Sequence, residues 1–338
     1  MESYFRLLSI FVVLFVGLGV TSHGDSSSEE YWKKMLPDTP MPKIIEDSLK
    51  SEGGTGVHVG SKGVDVDVGK PGKGPADVHV GKGGTSVDVG PKGKHVSVDV
   101  HHKGKPSPFV YQYAATKTQL QYNQSVALFF QEKDLKPGTH MNLHFTKSTN
   151  GAPLLPREVA KSIPFSSKKL PEILSRFHVE TNSQQAQDME ETIKECEAKG
   201  IEGEDKYCAT SLESMVDYAT TKLGKKLDTV STYVEKDNKM QKYDFTGVKK
   251  VPCKRAIICH KMFFACGVYY CHMTETTKPY MVSLVAADGS KVKAAAICHA
   301  DTSKWNPKHL AFQVLKVEPG TVPVCHFLPE DHIVWVSK

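Results

Sequence analysis

The sequence predicts an α+β fold, with helices first, a largely antiparallel sheet after them and disulfide staples throughout. Three observations carry this. Apolar residues recur at helical spacing between residues 170 and 224, β-branched and aromatic runs dominate after Lys225, and Asp288-Gly289 joins two of those runs as a hairpin signal.

The chain of 338 residues opens on a segment that reads as an export signal. Arg6 supplies a positive start, Leu7 to Val20 an apolar run, and Thr21, Ser22 and Gly24 a cleavage zone, so residues 1–24 are expected to be removed. An apolar run this short does not span a bilayer, which needs ~20 residues, and no transmembrane segment is expected. The segment 25–52 follows, and the prolines of Tyr31-Trp32-Lys33-Lys34-Met35-Leu36-Pro37-Asp38-Thr39-Pro40-Met41-Pro42 discourage a helix there.

Residues 53–105 hold fourteen of the 26 glycines and no aromatic residue. A loose ten-residue repeat places Val57-His58-Val59, Val64-Asp65-Val66, Val78-His79-Val80, Val87-Asp88-Val89 and Val96-Ser97-Val98 before Gly, Lys and Pro turns. Alternating valines favour short extended pieces, but they bury too little surface to offset chain entropy. The expectation is a disordered or weakly extended linker, with repetitive β-structure as the alternative. His58, His79, His95, His101 and His102 read as solvated linker histidines.

Residues 106–338 have ordinary globular composition. Leu170, Ile173, Leu174 and Phe177 mark a first helix, with Pro171 tolerated in its first turn. Ala186, Met189, Ile193 and Cys196 mark a second, ending near Gly200. Thr210-Ser211-Leu212-Glu213 has capping-box spacing before the stripe Leu212, Met215, Val216, Ala219, Leu223, and Gly224 stops that third helix. Strands are expected over Phe263–Met273, Met281–Val285, Val292–His299, Leu310–Val317 and His332–Val336.

Eight cysteines in an exported chain favour disulfides. Four are followed directly by histidine: Cys259-His260, Cys271-His272, Cys298-His299 and Cys325-His326. About 0.4 such pairs would arise by chance. Ten residues separate the first two pairs and 25 each of the next two gaps. Neighbours on a strand face opposite ways. Val292, Ala294 and Ala296 share parity with Cys298, and Lys291 and Lys293 with His299. The thiols should therefore be buried and the imidazoles turned to solvent or a cleft. Two disulfides among these cysteines would hold the histidines at set separations for a metal ion; their connectivity has three solutions. Thiolate zinc sites use short Cys-x2-4-Cys spacings and reduced sulfur, so oxidised cysteines leave imidazoles, and copper ranks above zinc.

Cys196 and Cys208 flank the gap between the second and third helices, and a bridge closing that loop would contribute ~2–3 kcal/mol. Cys253 and Cys266 are left to pair with each other. Asn123-Gln124-Ser125 is a glycosylation sequon at Asn123. His140, His144, His309 and His332 are candidate extra ligands. A net charge of +5, dispersed along the chain, does not predict nucleic-acid binding.

The spacing Cys-His-x10-Cys-His-x25-Cys-His-x25-Cys-His resembles the signature of the plant BURP-domain family. The resemblance runs from Ala127 to Lys338 and includes Phe129-Phe130-Gln131-Glu132-Lys133-Asp134-Leu135, Cys208-Ala209-Thr210-Ser211-Leu212-Glu213-Ser214 and Trp305-Asn306-Pro307-Lys308-His309-Leu310. Val324-Cys325-His326-Phe327-Leu328-Pro329 belongs to it as well. The valine repeat and Pro108-Phe109-Val110-Tyr111-Gln112-Tyr113-Ala114-Ala115 are similar to the dehydration-responsive branch. The resemblance implies the BURP-domain fold and secretion to apoplast, cell wall or vacuole. It also implies expression under drought, salt or abscisic acid, and partners among wall enzymes or polysaccharide. Some members are copper-dependent oxidative peptide cyclases; carried over, the ligands would be His260, His272, His299 and His326. The repeat holds no aromatic residue, and only Tyr111, Tyr113 and Tyr122 stand near the domain entrance, so self-cyclisation is not expected.

Overall fold

A computed structural model describes residues 27–50, 129–145, 152–235 and 240–338, and the backbone of 55–60, 63–70, 73–81 and 84–88. The segment expected to be an export signal, Tyr111, Tyr113, Tyr122, Asn123, His95, His101 and His102 lie outside the described residues.

The stretch 31–42, expected to resist helix formation, is helical in its first part: α1 (Ser28–Met35) runs into it, and α2 (Lys43–Lys50) begins just after it. Ser27 caps α1 in a reciprocal box with Glu30. Pro37, Pro40 and Pro42 fall between the helices and set their ends instead of preventing them. Trp32 is 2% exposed, stacks on Trp335 with centroids 5.2 Å apart and donates its Nε1–H to the Thr39 carbonyl at 3.0 Å. Ser28 donates to Glu213 at 2.7 Å, and Thr39 to the Leu227 carbonyl at 2.7 Å. These 24 residues share one core with the C-terminal domain.

In the repeat the valine alternation gives extended pieces, and these pair as an antiparallel meander of β1 (Thr55–Gly60), β2 (Gly63–Lys70), β3 (Lys73–Gly81) and β4 (Gly84–Asp88). Val57 stands opposite Val66, and Val78 opposite both Val66 and Val87, so like residues fall in register.

The domain then runs through β5 (Phe130–Gln131), β6 (His140–Leu143), α3 (Arg157–Lys161), α4 (Leu170–Arg176), α5 (Gln184–Glu197), β7 (Asp205–Ala209) and α6 (Leu212–Leu223). It continues as β8 (Leu227–Val230), β9 (Tyr233–Val234), β10 (Gln241–Lys250), β11 (Ala256–Lys261), β12 (Tyr269–Met273) and β13 (Thr277–Ala286). Last come β14 (Lys291–His299), α7 (Leu310–Leu315), β15 (Val324–Phe327) and β16 (Ile333–Ser337). All three sequence-predicted helices are present; α6 starts one residue later than expected, because Ser211 with Ser214 makes the capping box.

Two antiparallel sheets position everything else. One has the order β5-β15-β14-β13-β10-β6 with β9 alongside β14, the other β7-β12-β11-β16-β8. Between them lie Ala256 and Ile258 of β11, Val334 and Val336 of β16, and Ala295 and Ile297 of β14. The outer face of the five-stranded sheet packs Ile257, Tyr269 and Trp335 against α1 and α6. That of the other packs Val282, Leu284, Phe245 and Phe327 together. Helices α4 and α5 form a satellite core with Phe264 and Val268. The Asp288-Gly289 turn joins β13 to β14 as expected, with Gly289 at φ +80°.

Two expected strands are corrected. Leu310–Val317 is mostly helix: His309 caps α7 by accepting from the Ala311 N–H at 3.1 Å, and Ala311, Phe312 and Leu315 turn one stripe onto Trp305. The run from Phe263 becomes a strand only at Tyr269, because Phe264, Cys266 and Val268 pack into the helical cluster and Gly267 donates to the Pro153 carbonyl at 2.6 Å. A Cβ on Gly267 would meet the Cα of Leu154 at 3.0 Å. Gly267→Ala is therefore expected to cost about 1–3 kcal/mol, read as a lowered urea midpoint at constant m. An unchanged midpoint would mean that the backbone at Leu154 yields freely.

Candidate metal centre

Cys259 and Cys271 are register partners across β11 and β12, and Cys298 and Cys325 across β14 and β15. Each pair is disulfide-bonded, as is Cys196–Cys208. Of the three connectivities open to the four Cys-His cysteines, the fold selects the one that clips neighbouring strands. The expected Cys253–Cys266 bridge does not form. Cys266 belongs to the helical cluster and Cys253 to the layer between the sheets, so they sit in different cores and both are free thiols. Burial pushes the Cys266 thiol up to about 12, which keeps it protonated and inert.

The parity of the Cys-His dipeptides survives, but its consequence changes. Cys259 and Cys271 join the outer core of one sheet, Cys298 and Cys325 that of the other. The histidines point the opposite way, into the space between the sheets. They continue the rows Ala256-Ile258-His260 and Ala295-Ile297-His299. His260, His272, His299 and His326 are all buried, none above 6% exposed. The lysines that suggested a solvent-facing side, Lys291 and Lys293, stand at the other end of β14, on the same face but beyond the covered stretch.

The four rings form a closed circuit. Centroids are 5.2 Å apart for His260–His272, 6.0 Å for His272–His299, 5.6 Å for His299–His326 and 6.1 Å for His326–His260. His332 joins at one corner, its Nδ1 3.0 Å from Nδ1 of His260. The Nε2 atoms of His260 and His272 are 3.1 Å apart. Two imidazoles sharing one ion at ~2.0–2.1 Å place their nitrogens roughly 3 Å apart, so this pair already has a ligating separation. Among the described residues, no three such side chains gather their donor atoms at one point. A shared ion would have to draw His299 and His326 inward.

Burial sets the charge of the cluster. It pushes His260 and His299 well below the usual imidazole range, with the neighbouring histidines adding to the effect, and holds His326 at about 3 and His332 at about 4. Neutral imidazole is the ligating form. The Nε2 of His299 is buried with no hydrogen-bond partner, and in the tautomer protonated at Nδ1 it offers a lone pair that an ion would satisfy. The donor set therefore fits an imidazole-loving ion, and with every nearby sulfur oxidised nothing thiolate competes.

Outside the ring, Glu204 holds His272. Its Oε1 lies 2.8 Å from Nδ1, with both side chains buried, and a carboxylate there keeps the proton on Nδ1 and leaves Nε2 to face His260. Trp305 packs on His299 at 5.0 Å and on His309 at 4.7 Å. Of the candidate extra ligands, His332 joins the cluster, and His309 sits behind Trp305 with Nδ1 committed to the cap of α7. His140 is exposed on the edge strand β6 against Asp244, and His144 is exposed beside it. Glu204 was not foreseeable, since only the pairing of His272 with Lys206 in β7 brings it near.

The BURP-domain profile matches residues 128–337. The chain is 45% identical to BURP domain protein RD22 of Arabidopsis thaliana over 370 aligned positions, covering 93% of this chain and 94% of that one. It is 52% identical to BURP domain-containing protein 3 of Oryza sativa subsp. japonica, covering 70% of this chain and 58% of the relative, and 39% identical to BURP domain-containing protein 5 of the same plant, covering 95% and 90%. The stapled strands, the inward histidines and these likenesses together make the chain a member of the BURP-domain family.

Proposed function

We propose that this is a secreted plant protein of the apoplast or cell wall, with a vacuolar location as the variant. It serves the response to drought, salt or abscisic acid, and its buried histidines hold copper, with zinc the lesser fit. The observation that carries the metal reading is the closed ring of four buried imidazoles with the unpartnered Nε2 of His299 among them. The secretory and stress reading leans on the signal-like start of the chain and its likeness to relatives such as RD22. Bound copper would supply one-electron redox chemistry. The protein's own residues do the rest: two cystines set the strand separations, Glu204 fixes the tautomer of His272, and Trp305 shields His299 from water. Wall enzymes or polysaccharide are the proposed partners.

Metal analysis of protein taken from its secretory pathway with disulfides intact tests the reading: copper should be retained, and its absence would overturn the copper assignment. His299 provides the control. Replacing it with Leu removes a buried atom without a partner and nearly keeps the volume, so metal-free stability should hold or rise while copper affinity falls at least about tenfold. Cys298→Ser should instead lower both affinity and stability, the latter by about 2–4 kcal/mol. Equal behaviour of the two variants would refute this separation of roles. Oxidative cyclisation of an aromatic-containing peptide is distinguished by mass: loss of two hydrogens from a peptide bearing Tyr111, Tyr113 or Tyr122, with copper and dioxygen, would make the protein an enzyme on itself.

A further inference from the structure

An ion cannot reach histidines that are at most 6% exposed unless something opens. The loop between α5 and β7 is placed to do so. Cys196 and Cys208 fix its two feet with their Cα atoms 5.8 Å apart, so the chain leaves and returns at nearly one point. Gly203, at φ +84°, turns it back, and the Glu204 N–H closes that turn on the Ile201 carbonyl at 3.1 Å. From this base the loop reaches both sides of the cluster. Toward the five-stranded sheet, Glu204 meets His272 at 2.8 Å. Toward the other, Ile201 packs on the group of Trp305 and Phe312, and Trp305 in turn covers His299. Glu202 adds an ion pair to Lys304 at 2.9 Å, with both side chains more than half exposed.

Residues 198–204 are held by the buried Glu204 carboxylate, which meets His272 and, at 3.5 Å, the Tyr270 hydroxyl, by the apolar Ile201 side chain and by one surface ion pair of small worth. The feet are covalently fixed, so releasing the tethers swings the loop without unravelling its neighbours. We propose that the 198–204 loop is the access gate of the histidine cluster, and that Glu204 is its latch as well as the positioning residue of His272. This deepens the metal-site reading by naming the route in, yet the route itself can be probed without metal.

The probe is carbethoxylation of the metal-free protein by diethyl pyrocarbonate, followed histidine by histidine in the mass spectrometer. His299 is the reporter, because its centroid neighbours are His272, His326 and Trp305 and not Glu204. In Glu204→Ala, labelling at His299 should quicken at least fivefold with the unfolding midpoint little changed, while exposed His140 labels at its wild-type rate. Glu204→Gln, which can still accept from Nδ1, should fall between. Wild-type labelling of His299 in Glu204→Ala overturns the gate. Should that variant fail to fold, Glu202→Lys, which reverses only the surface pair with Lys304, is judged by the same criterion. Aqueous copper(II) is the second arm. Where it binds, uptake should quicken in the same variants in proportion to labelling, and uptake at one rate in all of them counts against the gate. Where no variant binds copper, the metal-site reading fails and the labelling alone decides the gate.

Discussion

Acidifying the metal-free protein from pH 7 to 5 is expected to unfold it, with an uptake of three or more protons per molecule. Five buried histidines carry the effect. Burial holds His309 and His332 at about 4 and His326 at about 3, and pushes His260 and His299 well below their ordinary range. In the unfolded chain each titrates near ~6.5. Their folded values are depressed, so between roughly pH 4 and 6.5 the unfolded chain binds protons that the folded one refuses. Stability is therefore full above about pH 6.5 and falls as the pH drops toward the folded values. Each group contributes at most about 1.4 kcal/mol per pH unit in that window. Several acting together would exhaust the roughly 5–15 kcal/mol that a domain typically has. Glu195 opposes them, since burial raises its carboxyl to about 7, and burial raises Asp188 and Glu191 as well, but these are three groups against five. Urea midpoints measured at half-unit steps from pH 7.5 to 5 check this. A flat profile would mean that the histidines are solvated. A bound ion should move the whole transition to lower pH, because protons must first displace it.

Trp32→Ala is expected to be as damaging as a change deep in the domain, although Trp32 precedes the BURP match by almost a hundred residues. The indole is buried, stacks on Trp335 and closes its own connection through Thr39. Removing it leaves a cavity between α1 and β16 and should cost ~3–5 kcal/mol. That corresponds to a fall in Tm of roughly 10 °C for a domain of this size. Around it, Tyr31 bonds Asp217, Arg157 pairs with Asp217 at 2.8 Å, and the same guanidinium lies 4.8 Å over the Tyr31 ring. A loss below about 1 kcal/mol by calorimetry would show that the segment only rests on the surface. Trp335→Ala should match Trp32→Ala, and the double variant should fall short of their sum because the two rings touch.

How much of this was legible follows from where each signal lies. The helices over 170–224 were readable because their apolar stripes and caps are local, and the hairpin because Asp288-Gly289 is local too. The Cys-His spacing singled out the four histidines that the fold brings together in one buried ring. What it could not give was the second sheet. Parity separates two faces of one strand, yet whether a face meets water or another sheet depends on Ala295 and Ile297 finding Ala256 and Ile258 from elsewhere in the chain. The imidazoles were therefore expected to face solvent or a cleft, and the second sheet encloses them. β10 was overlooked although Tyr243 and Phe245 alternate with Lys242 and Asp244, because lysines crowd both of its ends. α7 was mistaken for a strand because six residues are too few for periodicity to outvote composition. The N-terminal helices were missed because prolines stop a helix without saying that none stands beside them.

With α1 and α2 seated on the same body that resumes at Phe129, the valine repeat is a handle and not a tail. The chain enters the repeat from that body and returns to it, so whatever binds the repeat holds the domain through two connections. A single cut within it would leave both pieces together, joined through the indole pair.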